Sequence, residues 1–142
     1  MSSSLFKHAA QAGLYYLPEG TRSDLRQQAV KAHRTFFSAH LENCKGIQEA
    51  LVELGKACHF PIWYGANFDA LNDCLSDPGW PNDKGVILEI NGLEALRASD
   101  TEALSTLIEV LRSATMSRSA SKHPLWILLT TPARGVSNLP DA

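Results

Sequence analysis

Apolar side chains recur along this chain in two periods, and the switches between them mark its elements. Leu14-Tyr15-Tyr16-Leu17 is a short β-prone run stopped by Pro18-Glu19-Gly20. Ser23 is the expected N-cap of a helix carrying Leu25, Ala29 and Val30. A strand is predicted over Phe36–Leu41. Ile47, Ala50, Leu51, Leu54 and Cys58 then repeat at three- and four-residue spacing, which predicts a helix over Ile47–Cys58. Pro61 is expected to end it, because a proline disfavours helical backbone in the residue before it. Asn67 is the expected cap of a second helix running to about Ser76 and stopped by Asp77-Pro78-Gly79.

The second half of the chain is more apolar in its strands. Val86–Ile90 is apolar at nearly every position, as is Leu125–Leu129. Between them a short helix is predicted over Leu93–Ala98. A longer one covers Thr101–Thr115, with Leu104, Leu107, Ile108 and Leu111 as its buried stripe. Ser117–Pro124 is expected to be a polar loop. Residues 1–12 are expected to fray and residues 132–142 to form a loose tail. Strands apolar on both faces and separated by helices require a parallel sheet covered by helices. The expected fold class is therefore α/β, one domain with a small N-terminal embellishment.

Composition narrows the class of protein. A chain of 142 residues with 44% hydrophobic side chains can bury a real core in a single domain. No apolar run approaches the ~20 residues needed to cross a bilayer, and the start lacks the features of a signal peptide. Three cysteines, an odd number, cannot form a complete disulfide framework, so a reducing cytoplasm is the expected location. A net charge of −2 and a pI near 6.2 argue against a direct nucleic-acid binder.

Charge is unevenly spread. Residues 1–58 hold seven basic and five acidic side chains, whereas residues 59–142 hold six and ten. Between Lys56 and Lys84 stand Asp69, Asp73, Asp77 and Asp83 with no intervening cation. At 100° per residue, Phe68, Leu71, Cys74 and Leu75 share one helix face, and Asp69, Asp73 and Asp77 fall opposite them. Like charges at this spacing destabilise a helix by roughly 0.2–0.5 kcal/mol per pair. The column is thus either a solvated face or a docking surface for a basic partner. Trp63 and Tyr64 immediately before it favour docking, since Trp is a common interface anchor.

Enzymatic readings are weaker. Asp69 and Asp73 on one exposed face lack the desolvation that tunes a catalytic pair. No GxSxG elbow exists, and Cys74 faces the core. Cys58-His59 has no second pair of ligands at metal-binding spacing, and the glycines form neither GxGxxG nor a P-loop. The expectation is no catalytic residue, no metal and no cofactor.

The segment Phe60-Pro-Ile-Trp-Tyr-Gly-Ala-Asn-Phe-Asp-Ala-Leu-Asn-Asp-Cys-Leu75 resembles the signature of the barstar family, small inhibitors of a secreted bacterial ribonuclease. The pattern is proline, two aromatics, Gly, Asn and then D-A-L-x-D-x-L. The order of predicted elements agrees over about residues 34–131, leaving residues 1–33 as an N-terminal extension. The resemblance implies a three-stranded parallel sheet packed by helices. It also implies an inhibitor, not an enzyme, that inserts an acidic helix into a basic ribonuclease. Asp73 matches the family's phosphate-mimicking aspartate, Asp69 its second key aspartate, and Trp63 a tyrosine that packs on the enzyme. Gly65 fits the entry loop and Asn67 the cap. Asn72 stands in place of a tryptophan and Ser113 in place of a glutamate, so a different nuclease or toxin is the expected partner. The expected contact set is Trp63, Tyr64, Gly65, Asn67, Asp69, Asn72, Asp73, Asp77 and Ser113 on a cytoplasmic, immunity-type monomer. The competing expectation is a barstar-like interaction module with a non-nuclease partner.

Overall fold

A strand that is apolar on both faces needs cover from both sides. The computed structural model describes residues 6–18, 24–81, 84–119 and 121–140 and shows where that cover comes from. After a 3-10 turn at Ala9–Gln11 the elements are β1 (Leu14–Tyr16), α1 (Leu25–Lys31), β2 (Thr35–His40), α2 (Ile47–Cys58) and α3 (Phe68–Ser76). They continue with β3 (Val86–Asn91), α4 (Glu94–Ser99), α5 (Thr101–Arg118) and β4 (Leu125–Leu129). All strand pairs are parallel, in the order β1-β4-β3-β2. Beyond the three strands implied by the family resemblance, β1 adds a fourth, with Leu14 opposite Ile127 and Tyr16 opposite Leu129.

Alternate side chains of the central strands enter two separate cores. Leu88, Ile90, Ile127 and Leu129 pack with Leu51 and Leu54 of α2, Leu71 and Leu75 of α3, and Leu107 and Leu111 of α5. Ile87, Trp126 and Leu128 face the other way and pack with Phe6, Leu17, Leu25 and Ala29. The N-terminal extension is therefore the second layer of the sheet. Phe6 is buried edge-on against Trp126, with ring centroids 5.4 Å apart. The Arg34 guanidinium lies 5.3 Å from the Trp126 ring centroid and donates to the Phe6 and Lys7 carbonyls at 3.0 and 3.1 Å.

Several boundaries differ from expectation, each for an identifiable reason. The first residues do not all fray, because Phe6 fills the second core. Ser23 lies outside the described residues. At the start of α1, Asp24 accepts from the Gln28 side chain and caps no backbone N–H, and Val30 points outward. Helix α2 ends at Cys58 as expected, but a local cap and not Pro61 stops it. His59 takes a left-handed conformation (φ 55°) and donates to the Lys56 carbonyl, while Phe60 N–H donates to Gly55, a Schellman cap. Helix α5 continues past Thr115 to Arg118, whose buried guanidinium finds carbonyl partners at Leu75 (3.2 Å) and His123 (2.8 Å). Nor is the chain after β4 loose throughout. Tyr16 N–H donates to Ser137, Leu139 N–H donates to Tyr16, and Leu139 packs on the second core.

Phe6→Ala is expected to lower stability by about 3 kcal/mol, within the usual range for emptying a buried aromatic site. Urea unfolding monitored by Trp fluorescence measures it. A loss near zero would show that the extension does not share the core.

Candidate partner-binding site

The segment between α2 and α3 is fixed from below and open above. Tyr64 N–H closes a turn on Pro61 at 2.9 Å, and its hydroxyl donates to the Leu51 carbonyl of α2 at 2.7 Å. Its ring packs edge-on against Phe60 and over Gly55, where a Cβ would lie only 2.5 Å from the Tyr64 ring. Gly55 is therefore the socket that admits Tyr64. Gln48 of α2 donates to the Ala66 carbonyl at 3.2 Å. These bonds leave Ile62 fully exposed at the loop tip, with Trp63 60% exposed beside it.

Entry into α3 depends on two residues. Ala66 takes the left-handed conformation (φ 53°), whereas Gly65, the residue expected in the entry loop, does not. Asn67 then caps the helix, its Oδ1 accepting from Ala70 N–H at 2.8 Å. Ala70, Leu71, Cys74 and Leu75 are buried, which fixes the rotation of the helix. Asp69 and Asp73 are left exposed, and among the described residues neither joins an ion pair or a side-chain hydrogen bond. Nothing described neutralises them. Beneath this face, burial first and then Asp73 and Asp77 push the Cys74 thiol up to about 11. Burial also pushes the Cys58 thiol upward, so neither cysteine offers a thiolate nucleophile.

The C-terminal end of α3 is braced from the opposite side. Arg118 donates to the Leu75 carbonyl, satisfying an orphan acceptor of the helix end. Burial lowers its pKa to about 10, while Asp77 favours its charge. Trp80 lies over this guanidinium at 5.7 Å, stacks on Phe37 and donates to the Cys58 carbonyl at 3.0 Å. Asp77 itself makes a turn: its Oδ1 accepts from Gly79 N–H at 2.8 Å and its carbonyl from Trp80 N–H.

The nine expected contact residues thus separate by what they do in the fold. Asp69, Asp73 and Trp63 are exposed and free of structural hydrogen bonds among the described residues. Tyr64, Asn67 and Asp77 build the loop, the cap and the terminal turn. Asn72 is half-buried and accepts from Ser76 at 3.3 Å. Gly65 is exposed before the cap, where a Cβ would stand 3.1 Å from the Asn67 amide nitrogen. Ser113 is exposed on α5, the helix against which α3 packs, with no hydrogen bond to the others. Asp83 lies outside the described residues. Gly55, Gln48, Trp80 and Arg118 escaped the sequence reading. A glycine inside an amphipathic helix was a signal of close approach for the first; nothing local marks the other three.

Ala66→Gly is expected to raise stability by about 0.5–1 kcal/mol, because an L-residue in the left-handed region carries strain that glycine lacks. A decrease in denaturant midpoint would mean that the methyl group packs productively. Stability should also fall as pH rises above the ordinary thiol value of 9.0 through about 11. Over that window the unfolded chain ionises the Cys74 thiol while the folded chain keeps it protonated. Alkaline melts of wild type and Cys74→Ala measure this, and the variant should lose less.

No curated protein matches the chain. Among solved structures, the Aeropyrum pernix ORC2 protein in ADPNP–ADP complexes is similar, with a TM-score of 0.55 and 18% identity. The match covers 91% of this chain but only 36% of that one, and at such identity it shows the fold alone. A family model described as Barstar (barnase inhibitor) matches residues 34–130, which takes in β2 through β4 and the whole candidate site. With most of its length inside that match, the chain belongs to the barstar family.

Proposed function

We propose that this protein is an immunity-type inhibitor of a basic ribonuclease or related nuclease toxin, and that it acts as a binding protein without turnover of its own. The observation that carries the reading is the pair Asp69 and Asp73, one turn apart, exposed and unpaired among the described residues, on a helix whose other face is packed. A fold gains nothing from that pair; it costs roughly 0.2–0.5 kcal/mol of like-charge repulsion. A nuclease cleft is basic because it must hold phosphate. Carboxylates presented on a rigid helix can take the phosphate's place among Arg and Lys donors. Ile62 and Trp63 supply the adjacent apolar contact, and Tyr64, Gly55 and Gln48 hold that loop in place so that little ordering accompanies binding. The family's own description, an inhibitor of barnase, supports the same class of partner. Asn72 and Ser113 alter the contact surface, which favours a nuclease other than barnase. The proposed place of the encounter is the cytoplasm, before the nuclease reaches RNA, where the three free cysteines would stay reduced.

The test is a paired pull-down from the source cells with wild type and the Asp69→Ala/Asp73→Ala variant as baits, followed by a ribonuclease assay on the eluates. A basic nuclease retained and inhibited by wild type alone is the expected result. A partner without nuclease activity, held equally by both baits, would instead identify a barstar-like module of other purpose. With the nuclease in hand, Asp73→Ala should weaken binding by at least about tenfold, the scale of a lost charge-assisted hydrogen bond. Its stability should stay within about 0.5 kcal/mol of wild type, as expected for an exposed position. Association should also slow steeply with added salt, because unlike charges steer the encounter. An association rate indifferent to ionic strength would remove the electrostatic account.

A further inference from the structure

At the other end of α5 from Arg118, the chain leaving β4 forms a crevice that the inhibitory surface does not use. Its walls are Arg97 at the end of α4, Thr101 and Ser105 of α5, and Arg134 of the β4 exit loop. Buried Leu104 and Ile108, half-buried Ala133 and exposed Glu109 complete the lining. The volume is about 590 Å³, within the usual range of small-molecule sites. The crevice lies beyond the carboxyl end of a parallel strand, where open α/β sheets commonly hold ligands.

Three features distinguish it from an ordinary surface dip. First, the loop is held in shape. Arg97 Nη1 donates to the Pro132 carbonyl at 3.0 Å and Arg112 Nη2 to the Gly135 carbonyl at 3.2 Å, while Val136 N–H closes a turn on Ala133. Second, its polar wall is unused. Among the described residues Arg134 has no hydrogen bond or ion pair, Arg97 engages only Nη1, and the Thr101 and Ser105 hydroxyls have no partner. Third, the local charge is inverted. Two guanidiniums against one carboxylate line this crevice, in the half of the chain where acidic residues outnumber basic ones. Neighbouring cations repel, and among the described residues the exposed Arg134 gains no hydrogen bond or ion pair that would offset this.

We infer that this crevice binds a small organic anion, a carboxylate or phosphate monoester with a short apolar body. The guanidiniums of Arg97 and Arg134 would take the headgroup in forked, charge-assisted hydrogen bonds. Thr101 and Ser105 would add hydroxyl donors, and the body would lie on Leu104, Ile108 and Ala133. Glu109 sets the orientation, since the headgroup must sit away from it.

The full chain, labelled with ¹⁵N, is titrated separately with hexanoate, hexyl phosphate, hexanol and inorganic phosphate while backbone amides are followed by NMR. The expected result is saturable shifts at Ser105 and Ala133–Gly135 with one or both amphiphilic anions, and none with hexanol or inorganic phosphate at equal concentration. The tighter of the two anions identifies the headgroup. Arg134→Gln should weaken binding about tenfold, with an unchanged melting temperature because the side chain is exposed. Ser105→Trp, which fills the crevice from an exposed position, should abolish binding. Asp69→Ala/Asp73→Ala should bind normally, which separates this site from the inhibitory surface. Absence of saturable shifts with both anions, equal binding of hexanol, or undiminished binding by Arg134→Gln would each overturn the inference.

Discussion

Everything in this molecule depends on keeping β3 and β4 dry on both faces. A parallel ladder is slightly weaker per residue than an antiparallel one, and it survives where helices or other chain exclude water from each side. Val86, Leu88, Ile90, Leu125, Ile127 and Leu129 are covered by α2, α3 and α5. Ile87, Trp126 and Leu128 would be left wet without Phe6, Leu17, Leu25 and Ala29. The matched family region begins at residue 34, so the cover for one face of its sheet comes from outside that region. Arg34 joins the two parts, since its guanidinium bonds the Phe6 and Lys7 carbonyls and lies against Trp126.

That platform is what permits an unfavourable helix. α3 is short, carries a column of like charges and bears a carboxylate at the wrong end of its dipole. It is held by burial of Leu71, Cys74 and Leu75, by the Asn67 cap and by Arg118 on the Leu75 carbonyl. Burying the Arg118 guanidinium is costly in itself. The cost is reduced by two carbonyl acceptors, the Trp80 ring and the nearby Asp77 charge. Asp77, at the far end of the acidic face, and the buried cation beneath it therefore form one electrostatic unit.

Legibility in the sequence followed the range of the interactions. Where a full amphipathic period and local stop signals coincided, as in Ile47–Cys58 and the helix after Asn67, the boundaries could be read directly. The carboxylate column was visible for the same reason, because helical spacing alone sets which residues share a face. Phe6 on Trp126, Ser137 on Tyr16 and Arg118 on Leu75 were not visible, since each joins residues far apart in the chain. The left-handed turn at Ala66 was hidden for a different reason. Gly65 is the better left-handed residue in isolation, but the Gln48 bond to the Ala66 carbonyl and the Tyr64 anchor fix the turn one residue later. That Asn72 is tied to Ser76 also required coordinates.

The division of labour in the loop and α3 has an evolutionary corollary. Ile62, Trp63, Asp69 and Asp73 lie on the proposed partner side and, among the described residues, make no side-chain hydrogen bond or ion pair within the fold, whereas Gly55, Tyr64, Asn67 and Arg118 shape the frame beneath them. Substitutions in the first group are nearly neutral for stability, so they can accumulate and recombine without passing through unfolded intermediates. A lineage built this way can follow a changing opponent one surface residue at a time, while the frame that presents those residues stays as it is.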